Sequence, residues 1–178
     1  KVVPNICVLR NVFFTPDELD FLITKDGDRH SEETFWNQFQ HADTFGSLIQ
    51  PDVDLTNRLS HHLETLGVEH DMLKANAIER ADRVVRQAEF LVPRYSAVVG
   101  NPPYMGGKHM DSRLAAFAKD QFPDTKSDLF AMFIERCLEF LPRGGYSGLM
   151  TPFVWMFISA YALLRRRLIR SETITSLV

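Results

Sequence analysis

Apolar positions fall into two textures along the chain. Up to residue 94 they recur at helical intervals among polar residues, and from Tyr95 they gather into short continuous runs separated by Gly and Pro. In the first part, Thr15-Pro16-Asp17-Glu18 predicts a helix start: Thr15 is the N-cap, Pro16 opens the first turn and Glu18 completes a capping box. Leu19, Leu22 and Ile23 form its buried stripe, and Gly27 ends it. Ser31-Glu32-Glu33-Thr34 opens a second helix whose Phe35, Trp36 and Phe39 sit at core-facing spacing. A turn-rich connection covers Thr44 to Pro51, and Leu55 to Leu91 reads as two helices broken near Gly67 or one long kinked helix. Val2 to Leu9 is an apolar run interrupted by Pro4-Asn5, which could form only an edge strand.

The second part alternates. Tyr95 to Gly100 reads as a strand, a Gly/Pro-rich loop follows, and a strongly apolar helix opens at Ser127 as N-cap with Asp128 in its first turn. That helix runs through Leu129, Phe130, Met132, Phe133, Ile134 and Leu138 to Leu141, where Pro142 and Gly144-Gly145 stop it. Tyr146 to Thr151 is the next strand, ended by Pro152, and a further helix follows with Tyr161, Leu163 and Leu164, its apolar stripe continued by Leu168 and Ile169. Strand, helix, strand in this order predicts an α/β fold with parallel strands covered on both faces. The expected division is a mainly helical segment over 1–94 and an α/β unit over 95–178. Thr173 to Val178 is β-branched and reads as a strand cut off before any turn, which suggests a fragment of a longer chain.

With 178 residues and 45% hydrophobic content the chain can bury a core of ordinary size. A formal net charge of -3 argues against a surface that binds nucleic acid indiscriminately, although it leaves room for a local basic face. Arg165-Arg166-Arg167 with Arg170 is the dense basic cluster, read as a solvated helix face before a phosphate-contacting patch. Cys7 and Cys137 stand alone inside apolar runs, as buried structural thiols, and His61, His62 and His70 lack partners at zinc-site offsets, so no metal is expected. No signal-peptide pattern opens the chain and no stretch approaches the roughly 18 apolar residues of a membrane span, so a soluble cytoplasmic protein is expected. Of Phe153, Trp155 and Phe157, two are expected in the core and one facing substrate.

Asn101-Pro102-Pro103-Tyr104 carries the chemistry. It directly follows the strand ending Val98-Val99-Gly100, and in open parallel sheets ligands bind beyond the carboxyl ends of strands. An aromatic exocyclic amine is a poor nucleophile, because its lone pair is delocalised, and it reacts when acceptors hold its hydrogens and stabilise the charge that develops. The Asn101 side-chain oxygen and the Pro102 carbonyl are two uncharged acceptors of that kind. Consecutive prolines fix φ and keep Asn101 out of the α region, so the acceptors are aimed before substrate arrives. Tyr104 offers a flat face for a base removed from its stack. Gly106-Gly107-Lys108 reads as a flexible loop that lets a nucleic-acid backbone approach one positive charge.

These four residues, the helix after them and the Gly144-Gly145 entry into the next strand resemble the amino-methyltransferases with an Asn/Asp/Ser-Pro-Pro-aromatic motif. More narrowly, Val99 to Gly107, Lys126 to Cys137 and Thr151-Pro152 before Trp155-Met156-Phe157 resemble the large adenine methyltransferases of BREX phage-defence systems, of the PglX type, with similarity over about 41–51 and 95–178. The resemblance implies a partial Rossmann-like S-adenosylmethionine-dependent methyltransferase sheet with a helical insert. It implies catalytic roles for Asn101, Pro102 and Tyr104, and a lining of the cofactor's adenine by Pro103, Leu129 and Phe130. The implied function is site-specific methylation of adenine N6 in double-stranded DNA by base flipping, in a restriction-modification or BREX-type system that leaves room for other defence subunits. The family's glycine-rich cofactor turn and its acidic residue after the second strand are not found among these residues. The chain is therefore expected to hold the catalytic half and one edge of the cofactor pocket, and to bind the cofactor weakly or not at all by itself. Two alternatives remain: methylation of a release-factor glutamine amide, which poses the same chemical problem, and a non-catalytic interaction module in which the motif is a structural turn.

Overall fold

A computed structural model describes residues 3–66 and 72–177. The chain divides into two compact units, Lys1–Pro93 and Arg94–Val178. The first is helical. Its α1 (Pro16–Leu22) has Thr15 as N-cap, and the box closes in both directions: Thr15 N–H donates to Glu18 Oε2 at 2.8 Å and Glu18 N–H to Thr15 Oγ1 at 3.4 Å. Helices α2 (Arg29–Asn37), α3 (Ala42–Phe45), α4 (Val53–Leu66) and α5 (Met72–Leu91) follow, with α5 packed against both α1 and α4. Leu22, Trp36, Phe39, Leu59 and Val84 make the buried centre. Gly67 and His70 lie outside the described residues; His61 is exposed and His62 half-buried.

A polar knot sits inside this unit. Glu32 on α2 is fully buried, and its carboxylate accepts from Thr24 N–H at 2.7 Å, Thr24 Oγ1 at 2.6 Å and Arg58 Nη2 at 2.8 Å. Three donors on one buried charge meet the condition under which such a charge is tolerated. Gly27 makes room for it, since a Cβ there would stand 1.7 Å from Glu32 Oε1 and 2.3 Å from Thr24 Oγ1. The helix starts two residues before Ser31, because Asp28 takes the cap by accepting from Ser31 N–H at 2.8 Å.

The second unit holds β1 (Ala97–Gly100) and β2 (Tyr146–Leu149), paired in parallel with Ala97 opposite Tyr146 and Gly100 opposite Leu149. Between them come α6 (Ser112–Gln121) and α7 (Leu129–Glu139), and α8 (Ala162–Ser171) follows the single turns Phe153–Met156 and Ser159–Tyr161. Phe130, Ala131 and Ile134 of α7 pack with Trp155, Tyr161, Leu164 and Leu168, and Leu149 of β2 joins this core. The α7 C-terminus is docked at the start of β1, where Tyr95 N–H donates to Phe140 O at 2.7 Å and the two rings meet edge to face.

Several expectations are corrected. Residues 3–9 and 173–177 form no strand, since an extended run becomes a strand only with a partner ladder and neither segment has one. The N-terminal segment is held instead by Val12 N–H on Phe39 O and by Arg10 N–H on Gln87 Oε1. The sheet is not covered on both faces: Val99 is 86% exposed, and Ala97 and Tyr146 on the same face are exposed too. Helix α6, capped by Asp111 on Leu114 N–H at 2.8 Å, stands inside what reads as loop. The α7 cap is Asp128 rather than Ser127. Trp155 is buried while Phe153 and Phe157 are exposed, so one of the three belongs to the core instead of two. Cys137 is buried and Cys7 only half-buried; burial pushes both thiols up, away from reactive thiolate.

Gly27→Ala is expected to lower stability by about 1–3 kcal/mol, because moving the Glu32 carboxylate aside breaks bonds to a buried charge; thermal unfolding of the two proteins reads this directly. Partial burial pushes the Glu18 carboxyl up, but the Thr15 N–H and Arg80 outweigh it and hold it below the ordinary glutamate value. A carboxyl lowered in the folded state stabilises fully above its unfolded pKa and loses that contribution as pH falls through the folded one. Glu18→Gln should therefore lower the Tm at neutral pH, and the gap to the unsubstituted protein should close on acidification.

Candidate active site

The ladder continues one residue past β2, with Met150 N–H donating to the carbonyl of Gly100, the last residue of β1, at 3.0 Å. The chain therefore leaves β1 with its last carbonyl held, and Asn101-Pro102-Pro103-Tyr104 starts from a fixed point. Asn101, Pro103 and Tyr104 are exposed while Pro102 is buried. Among the described residues, neither the Asn101 side-chain oxygen nor the Pro102 carbonyl takes a hydrogen bond. Two acceptors thus stand unengaged on a rigid dipeptide.

Tyr104 is 55% exposed yet held at both ends. Its hydroxyl donates to Met150 O at 3.2 Å, just beyond β2, and its ring lies perpendicular to Phe130 with centroids 6.3 Å apart. Phe130 is 1% exposed and in turn packs on Tyr161 at 5.5 Å. A partly exposed aromatic face is thereby carried by the α7 core.

The residues after Tyr104 are laid along the N-terminus of α7. Met105 N–H donates to Asp128 Oδ1 at 3.1 Å, Leu129 N–H to Met105 O at 3.0 Å and Gly107 N–H to Ser127 O at 2.9 Å, and Gly106 bridges Asp128 in antiparallel fashion. The same Asp128 oxygen caps α7 by accepting from Phe130 N–H at 3.2 Å. Gly106 and Gly107 are accordingly tied down, in contrast to the flexible loop expected, and a Cβ at either would meet neighbours at an ordinary 3.6 Å. Lys108 is exposed on the one-turn helix Gly107–His109 that follows.

The structure thus brings Asn101, Pro102, Pro103 and Tyr104 together at the carboxyl end of β1, with Leu129 and Phe130 buried against Tyr104's side of the loop. Sequence reasoning missed Asp128 and Met150. Asp128 was readable as a helix cap, but its second bond to Met105 joins residues 23 apart, which no local pattern announces. Met150 acts through its carbonyl, and a carbonyl has no residue signature. The basic cluster is shared out: Arg165 Nη1 donates to Trp155 O and Ile158 O at 2.6 Å each, and Arg167 pairs with Glu135 at 2.5 Å. Arg166 and Arg170 are exposed on α8. Among the described residues no helix is long and apolar enough to cross a membrane.

The Eco57I restriction-modification methylase family matches residues 18–178, from the first turn of α1 to the end of the chain. The adenine-specific methyltransferase BrxX of Escherichia coli O9:H4 (strain HS) is 44% identical over 138 residues, which cover 76% of this chain and 12% of the relative. The adenine-specific methyltransferase PglX of Lacticaseibacillus casei (strain Zhang) is 33% identical over 171 residues, or 89% of this chain and 14% of the relative. The type II methyltransferase M.PaeR7I of Pseudomonas aeruginosa is 32% identical over 123 residues, 65% of this chain and 19% of the relative. The chain spans less than a fifth of the length of each of these proteins. The likeness extends well before residue 41, so the helices preceding β1 share in it. With Asn101 to Tyr104, the strands β1 and β2 and most of the helical unit inside one match, the chain belongs to the Eco57I restriction-modification methylase family.

Proposed function

We propose that this chain supplies the target-amine grip of an enzyme that methylates N6 of adenine in double-stranded DNA, within a restriction-modification or BREX-type phage-defence system. One observation carries the proposal. At the carboxyl end of β1, neither the oxygen of exposed Asn101 nor the carbonyl of buried Pro102 has a hydrogen-bond partner among the described residues, while both flanks of the loop are fastened. In this role the two acceptors hold the two amine hydrogens and favour the pyramidal, partly positive nitrogen of the transition state. Tyr104 receives the base turned out of the duplex. Gly106, Gly107 and Lys108 lie next along the loop, where a phosphate backbone would approach. BrxX and PglX are named adenine-specific methyltransferases and M.PaeR7I a type II methyltransferase, which supports the same assignment here.

S-adenosylmethionine supplies the electrophilic methyl group in this scheme. The residues that would line one apolar edge of it are Pro103, exposed in the loop, and Leu129 and Phe130, buried at the start of α7. The carboxylate of Asp128, the N-cap of α7, already serves two backbone amides through one oxygen. The cofactor's polar groups would need partners from the rest of a Rossmann-like sheet, of which β1 and β2 are two strands.

In the full-length protein, Asn101→Ala should cut kcat for methyl transfer to DNA by roughly 10²–10³, the usual cost of one pre-organised polar contact, with the Tm unchanged. Label from radioactive S-adenosylmethionine appearing in a release factor and not in DNA would overturn the assignment in favour of glutamine methylation. Persistence of DNA methylation in Asn101→Ala would reduce the motif to a structural turn. Tyr104→Ala should lose about 1–3 kcal/mol of transition-state stabilisation, seen as a fall of about ten- to hundredfold in kcat/KM, while Tyr104→Phe keeps most of it.

A further inference from the structure

We infer that Asp128 is the positioning residue of the grip loop. The inference rests on the methylation proposal for its consequence and on geometry alone for its substance. Met105 immediately follows Tyr104, so the direction of its N–H fixes how the Asn101 to Tyr104 segment ends. That N–H is held by Asp128 Oδ1 at 3.1 Å. The other end is held by the β1–β2 ladder through Gly100 O. Between these two points every residue but Asn101 and Tyr104 is a proline, and Tyr104 is itself tied to Met150 O.

Asp128 is suited to this because one atom serves two elements. Its Oδ1 accepts from Phe130 N–H, capping α7, and from Met105 N–H, so the helix that carries the Phe130 floor and the loop that carries Tyr104 share one acceptor. A carboxylate makes shorter and stronger bonds to amides than a neutral oxygen does, and the helix N-terminus favours its charge. The reciprocal Leu129 N–H bond to Met105 O at 3.0 Å and the Gly107 N–H bond to Ser127 O at 2.9 Å align the loop, but neither involves a side chain that can be exchanged. Apart from the Tyr104 hydroxyl on Met150 O, the side-chain part of the fastening is therefore Asp128. A shift of the loop by about 1 Å is enough to cost on the order of a hundredfold in a reaction that depends on near-attack geometry.

The cap and the anchor can be separated by substitution. Serine caps helices about as well as aspartate, but its oxygen sits one bond closer to the backbone and is withdrawn from Met105. Asparagine keeps an oxygen at the Oδ1 position. In the full-length protein, Asp128→Ser should keep the Tm close to the original and the KM for DNA within about threefold. Its kcat should fall about ten- to a hundredfold, and Met105 N–H should exchange with solvent faster. Asp128→Asn should restore most of the turnover and of the amide protection. The proposal is overturned if Asp128→Ser leaves both kcat and Met105 protection unchanged, or if Asp128→Asn is as impaired as Asp128→Ser. Should the unsubstituted protein leave DNA unlabelled while Asp128→Ser still frees the Met105 amide, the anchor stands and the methylation proposal is what fails.

Discussion

Two small acceptors can present a fixed geometry to a substrate only if the chain between them cannot turn and the chain around them cannot move. In this protein the first condition is met by Pro102-Pro103, and the second by backbone hydrogen bonds at each flank, Met150 N–H on Gly100 O before the loop and Met105 N–H on Asp128 after it. Without the parallel β1–β2 pairing there would be no fixed departure point. Without the α7 N-terminus there would be no landing point. Helices α7 and α8 and the apolar residues between them matter to the site mainly because they hold that landing point still.

The strand, motif and helix that build the site were legible in the sequence because their signals are local. Val98-Val99 before Gly100, proline after proline, and an apolar stripe from Leu129 to Leu138 each occupy a few adjacent residues. The capping box at Thr15 was readable to the residue for the same reason. What was not legible depends on partners far along the chain. Val3, Ile6 and Val8 have the composition of a strand but no ladder to join, and they stay exposed. Helix α6 follows the Pro- and Gly-rich stretch 102–107 and is followed by Pro123, which hides its Leu114 and Ala118 stripe, although Asp111 is a plain N-cap signal. The α7 cap moved by one residue because Asp128 can satisfy Met105 as well as the helix, an advantage invisible without the fold.

Gly27 teaches the same lesson from the helical unit. Its position after α1 reads as a helix stop, yet α1 already ends at Leu22, and Gly27 instead leaves the space that the Glu32 carboxylate fills. A buried carboxylate with three donors is costly to assemble and rewards only a single arrangement of α2, the Thr24 turn and α4. Glu32 looked like an ordinary first-turn acid in the sequence. Its neighbours, not its type, make it a core residue.

The open face of the sheet bears on the grip as well. Parallel strands usually bury both faces, but here Ala97, Val99 and Tyr146 lie exposed on one side, while Leu149 on the other joins the α7 core. On the exposed face β1 gains no apolar burial from Ala97 or Val99 among the described residues. Its position within the unit then depends more heavily on directional bonds: the ladder to β2, the Tyr95 N–H to Phe140 O bond at its start, and the loop fastening at its end. A disturbance at Phe140 therefore reaches Asn101 through the four-residue strand, and one at Asp128 reaches it from the other side, through Met105 and Tyr104. The grip is as rigid as the least secure of these ends. At the far side of the loop, one Asp128 oxygen takes two amides and so ties Met105 to the start of α7.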